Sequence, residues 1–251
     1  MKKKFVFFLC VFGSMFLLSS CYSNKELLLS SSLTQNCDKW EAKTEGMYFN
    51  IRRTTFGPFT TVMAGKAGIP TEINIQDDLG LLIFSRNVTT DKGKFYSLQF
   101  ARGGDTSIAE FKIFSSTTER EPSVVRELFG KTKYTDYKTI SHSETTNGTI
   151  TIRNKNSKWN FNLGVCNSRQ DCTSGYLRNI TSLRRDNYLF VTRATKKEGR
   201  KGIIIKNPND EPVAALQLSG KKIVWISNSM VIDDQMAVAT LFAVALCKKG
   251  L

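Results

Sequence analysis

Histidine is almost missing from this sequence: His142 stands alone, inside the polar run SHSETTNG. A nucleophilic triad needs a base beside its nucleophile, and most zinc centres draw on imidazole, so both chemistries lack their usual partner. No two cysteines have the C-x-x-C spacing of a zinc or redox site, and no glycine-rich phosphate loop occurs. The carboxylate pairs Asp77-Asp78 and Asp233-Asp234 fit turn and helix-cap roles. There is no internal repeat, and no apolar run reaches the roughly 20 residues that a membrane-spanning helix requires. These absences argue against catalysis, and they leave no metal site and no cofactor to expect.

What is present begins with a targeting segment. Lys2, Lys3 and Lys4 precede the apolar stretch FVFFLCVFGSMFLL, and Leu18-Ser19-Ser20-Cys21 follows it directly. That tetrapeptide resembles a bacterial lipobox, which implies residues 1–20 as signal peptide and Cys21 as the lipid-attachment site of an exported, membrane-anchored lipoprotein. The alternative is a secretory signal cut after one of the serines, with Cys21 kept in the mature chain. Loss of the three leading lysines lowers the formal charge from +14 to +11, so the remaining chain stays strongly cationic. Its basic pairs include Arg184-Arg185, Lys196-Lys197 with Arg200-Lys201, and Lys221-Lys222. Such a surface favours anionic partners, and for an exported protein those are lipid head groups or wall polymers more than nucleic acid. These eight residues are the candidate anionic-partner site.

Cys37, Cys166, Cys172 and Cys247 remain beyond the anchor, and export permits disulfides. Cys166 and Cys172 bracket the polar stretch NSRQD with a spacing that suits a loop-closing bridge. Cys247, on an apolar segment, reads as a buried thiol. Residues 21–39, serine-rich with one apolar run at Leu27 to Leu29, read as a tether. From Trp40 onward alternation dominates. In KWNFNLGV the side chains of Trp159, Phe161, Leu163 and Val165 share one face, and Ala109, Phe111 and Ile113 or Tyr96, Leu98 and Phe100 repeat the pattern. Turn signals at FGPF, DDLG, TDKGK, ARGGD, TTNG, KKEGR, NPNDEP and LSGKK separate short strands. A meander this long curls or closes, so a closed antiparallel β-barrel of about twelve strands is expected over residues 40–251. One further helix is expected at EREPSVVRELFG.

The segment QMAVATLFAVALC, Gln235 to Cys247, is apolar on every side with charged ends. It is too short to cross a bilayer. A helix with no wet face that follows many strands is what a barrel lumen requires, so residues 234–247 are expected to be its central buried helix. Asp233-Asp234 and Lys248-Lys249 match the macrodipole of such a helix.

In SNSMVIDDQMAVATLFAVALC, and in the preceding NPNDEPVAALQL, the chain resembles the tubby C-terminal domain shared with the LURP-one-related proteins and the phospholipid scramblases. That resemblance implies a mainly β fold, a barrel threaded by a hydrophobic C-terminal helix. It does not carry a ligand. The acidic calcium-binding stretch of scramblases has no counterpart between Trp225 and Val231, and the tubby carboxy-terminal signature is absent. The favoured expectation is a non-catalytic exported lipoprotein whose basic barrel binds anionic lipid or a partner at a membrane surface. The alternative is a secreted effector or hydrolase, with the sequons at Asn87, Asn147 and Asn179 keeping a eukaryotic secreted glycoprotein in view.

Overall fold

A computed structural model of the chain describes residues 26–48, 51–66, 70–76, 86–121, 138–167, 173–181, 188–194 and 199–248. The strands begin with β1 (Cys37–Glu41), β2 (Lys43–Tyr48), β3 (Ile51–Phe56), β4 (Phe59–Lys66) and β5 (Thr71–Gln76). Four long ones follow: β6 (Arg86–Arg102), β7 (Asp105–Glu121), β8 (Lys138–Ile152) and β9 (Ser157–Asn167). The last five are β10 (Gly175–Asn179), β11 (Tyr188–Ala194), β12 (Gly202–Lys206), β13 (Pro212–Gln217) and β14 (Ile223–Ser227). Two helices, α1 (Ser31–Gln35) and α2 (Ile232–Lys248), complete the described elements apart from a 3-10 turn at Arg153–Lys155.

All pairings are antiparallel, in the order β1-β14-β13-β12-β11-β10-β9-β8-β7-β6-β4-β3-β2, with β5 paired to β6 off this path. The two strands at the ends of that order are separated in the chain by Ala42 alone. β1 pairs with β14 from Cys37↔Ser227 to Glu41↔Ile223, and β2 then pairs with β3 from Lys43↔Thr55. At the junction the Ala42 N–H donates to the Lys222 carbonyl at 2.8 Å. One continuous stretch of chain thus joins both edges and curls the sheet into a nearly closed barrel. With β1 and β2 counted as one, the thirteen strands of the path make twelve staves.

Alternation explains which side chains point inward. Trp159, Phe161 and Leu163 are at most 1% exposed, and Leu98, Phe100, Ala109, Ile150 and Leu177 line the same lumen. α2 fills it. Every residue from Met236 to Leu246 is 6% exposed or less, and the helix packs against β3, β6, β7, β8, β9 and β14. Asp233 and Asp234 stand in its first turn, where the macrodipole favours negative charge. Cys247 is a buried thiol, as its apolar setting implied.

Three expectations need adjustment. TDKGK and TTNG lie inside β6 and β8 rather than in turns. Gly93 is buried there, with the Lys112 side chain laid across it, so these glycines serve close packing instead of chain reversal. The stretch read as a tether is packed from Glu26 onward. Leu27 and Leu33, 5% and 2% exposed, cover an outer-wall patch of Ala194, Ala215, Ile223 and Trp225, so the folded domain starts earlier than Trp40. Within the expected helix EREPSVVRELFG, Glu119 to Glu121 close β7, and its remaining residues lie outside the described part, as do those of DDLG.

Candidate functional site

Two turns build the site. The β13–β14 turn reverses at Gly220, and the approach to β12 passes through Gly199, with φ of +70° and +86°, a region that favours glycine. Leu218 N–H donates to the Lys201 carbonyl at 2.8 Å, and Lys201 N–H donates to Ser219 Oγ at 3.1 Å, so the turns lie side by side. The Arg200 guanidinium lies over Gly220, where a Cβ would come within 3.7 Å of its Cζ. Arg200, Lys201, Lys221 and Lys222 are thereby gathered at one end of the barrel.

Gln217 organises this end, and nothing in its sequence setting marks it. Its side chain is 2% exposed. Nε2 donates to the carbonyls of Ser219 at 3.0 Å and Lys221 at 2.7 Å, while Oε1 accepts the Leu27 N–H at 2.8 Å. A single buried amide therefore fixes both the basic turn and the incoming N-terminal strap, Glu26 to Gln35. Glu26 is itself held by Lys39, with Nζ at 2.7 Å from its carboxylate.

The charges at the two ends differ. β14 runs from the basic turn to Ser227, and α2 begins five residues later, so the helix starts at the far end. That far end carries Asp105, Asp210, Glu211, Asp233 and Asp234 among Arg102, Arg153, Lys155 and Lys206, the last held to Asp210 at 2.9 Å. There Lys155 Nζ reaches Asp233 Oδ1 at 2.5 Å, and Arg102 donates to Gln235 Oε1 at 2.7 Å. Burial, with Asp233 adding repulsion, pushes the Asp234 carboxyl up to about 6. At the basic end, Glu41 lies 3.9 Å from a mostly exposed Lys221, a loose contact that neutralises little, and Lys222 Nζ donates to Thr44 Oγ1 at 3.2 Å.

Inside the lumen near the basic end, Arg193 donates Nη2–H to the Leu163 carbonyl at 3.3 Å. Burial pushes its guanidinium down and the Glu144 charge opposes that, while burial and the same Glu144 push the Tyr96 hydroxyl up. These three side chains lie where the apolar lining gives way to charge. Farther along β8, His142 Nδ1 and Thr117 Oγ1 are 2.8 Å apart, a cross-strand hydrogen bond.

Of the expected site residues, the structure brings together Arg200, Lys201, Lys221 and Lys222. Cys21, Cys172, Arg184, Arg185, Lys196 and Lys197 lie outside the described residues. Cys166 is disulfide-bonded. Val165 and Thr173 meet beside it, with Thr173 N–H donating to the Val165 carbonyl at 2.9 Å. Among the described residues no group of three His, Cys, Asp or Glu side chains is placed to hold a metal ion, and no helix is long and apolar enough to cross a membrane. No family model, curated protein or solved structure matches the chain.

Proposed function

We propose that this is an exported lipoprotein, anchored through Cys21, whose cationic barrel binds anionic lipid at a membrane surface without catalysis. The observation that carries the reading is the gathering of Arg200, Lys201, Lys221 and Lys222 from two separate turns, at the end where the N-terminal strap joins the barrel. Each basic residue near an anionic surface contributes about 1 kcal/mol, so four together give binding that salt can dissolve. A lumen filled by an apolar helix leaves little interior for substrate. The barrel wrapped around that helix also supports kinship with the tubby-like and scramblase group, and a bridge from Cys166 to Cys172 fits the same exported setting.

Two experiments test the reading. Labelling with a palmitate analogue should vanish in Cys21→Ala, and a label that persists would remove the anchor. A fragment starting at Glu26, which keeps the packed strap, should float with phosphatidylglycerol vesicles at low salt. Charge reversal at Lys201 and Lys221 should reduce its flotation at least tenfold. A second reading, a hydrolase, draws on the Thr117–His142 contact, whose 2.8 Å matches a nucleophile with its base. No third side chain orients the other ring nitrogen among the described residues. Ester or amide hydrolysis lost in both Thr117→Ala and His142→Ala would favour it.

A further inference from the structure

We infer that the basic end is the face laid against the bilayer and that Leu28 is the side chain it inserts there, an inference that rests on the function proposed above. Leu28 is 67% exposed, although the strap around it is firmly seated. Leu27 on one side is 5% exposed with its N–H held by Gln217, Leu33 is 2% exposed, and Glu26 is held by Lys39. Exposure of Leu28 is therefore a fixed outward placement and not fraying.

Its surroundings identify the partner. A Cβ at Gly199 would lie 3.3 Å from Leu28 Cγ and 2.8 Å from the Glu26 carbonyl, so the leucine stands directly against the residue that precedes Arg200. An apolar side chain on the end that carries Arg200, Lys201, Lys221 and Lys222 matches the anionic bilayer interface, where head groups meet the charges and the acyl boundary receives the leucine. Polyanions such as nucleic acid offer the cations partners but the leucine none. Among the described carboxylates near this end, Glu26 is tied to Lys39 and Glu41 lies 3.9 Å from Lys221, while Glu45 follows Thr44, the partner of Lys222.

Covalent reach points the same way. Cys21 stands five positions before Glu26, at most about 18 Å of extended chain. An acyl chain on Cys21 is thereby confined to the neighbourhood of the strap's entry. The opposite end supplies a matched comparison, because Val231 and Ile232 are also exposed there, at 64% and 49%, but beside Asp233 and Asp234. There Lys155 is committed to Asp233 and Lys206 to Asp210, so the same greasiness has less to draw it to an anionic surface.

The test places tryptophan at either end of the full mature protein, as Leu28→Trp or Val231→Trp, and mixes each with vesicles of phosphatidylcholine alone or with phosphatidylglycerol, some carrying brominated acyl chains. Leu28→Trp should show a blue-shifted, bromine-quenched difference emission when phosphatidylglycerol is present, and Val231→Trp should show neither change. Leu28→Ser should weaken partitioning about fivefold to tenfold with an unchanged melting profile. Quenching at Val231 in place of Leu28, no quenching at either position on protein that floats, or undiminished partitioning of Leu28→Ser would each overturn the orientation while leaving vesicle binding standing. Failure of the Glu26-onward fragment to float would instead remove the function beneath it.

Discussion

Thr240 interrupts the apolar run from Met236 to Leu246, and its hydroxyl has a complete set of partners. Oγ1 lies 2.7 Å from the Met236 carbonyl, to which it donates, and 2.6 Å from Ser107 Oγ on β7. Both side chains are fully buried, and removing Thr240 leaves Ser107 Oγ only its longer bond to the Phe100 carbonyl at 3.3 Å. Thr240→Val should lower unfolding free energy by about 1–2 kcal/mol, and adding Ser107→Ala should restore part of the loss. Urea titrations of the two single variants and the double variant measure this, and strict additivity would show that the hydroxyls act independently. At this scale the sequence was only partly readable. Thr240 could be seen as the odd residue in its run, whereas Ser107, 133 positions away in the chain, could not be paired with it. Gln217 was invisible for a related reason: its three partners belong to Leu27, Ser219 and Lys221, and one of them comes from a strap that the sequence presents as linker.

Among the elements, α2 behaves unlike a surface helix. At about 100° per residue Leu241 points roughly 140° from both Met236 and Leu246, which are themselves about 80° apart, yet each is 2% exposed or less. Truncation to alanine should therefore cost about 2–5 kcal/mol at all three positions, where a helix with one wet face would spare at least one. Denaturation midpoints of the three variants decide between those cases. The start of α2 should also respond to pH. The Asp234 carboxyl rises from an ordinary 3.8 to about 6 on folding, so the folded chain holds a proton that the unfolded chain has released. Stability from this group is complete below about pH 4 and is lost as pH climbs through 6. Asp234→Asn should melt higher than the parent at pH 7.5 and converge with it by pH 4. Its advantage should be on the order of 1 kcal/mol, since solvent reaches part of the group and screens it.

This helix was legible because an all-apolar face pattern with charged ends leaves one physical solution, enclosure. Strands such as β9 were legible because one buried and one wet face force alternation. β1 was not, since Cys37 and Trp40 are only partly buried and neither face of the strand is fully enclosed. The far reaches of β6, β7 and β8 were hard to read because their threonines, serines and lysines are half-buried or exposed with no clean alternation, and extended backbone there follows from ladder pairing.

For the whole molecule the salient feature is the cluster of Arg200, Lys201, Lys221 and Lys222 at one end. If the basic end docks, vesicle flotation should fall steeply as salt rises past roughly 0.15 M, where the screening length shrinks to about 8 Å, and should recover on dilution. Binding that survives high salt would shift the weight to the leucine and the acyl chain. A net positive balance was evident from composition, but the meeting of Arg200, Lys201, Lys221 and Lys222 depended on which turns became neighbours, and that is a property of the barrel's pairing order rather than of any local run.

The position of α2 in the chain also bears on how the barrel comes to exist. All twelve staves leave the ribosome before the segment that will occupy their centre, and the first stave must wait for β14 to find its second edge. Until then the inward faces lack the apolar helix that they enclose in the finished barrel. Closure around a dry centre therefore cannot precede synthesis of the last apolar residues, Met236 to Leu246.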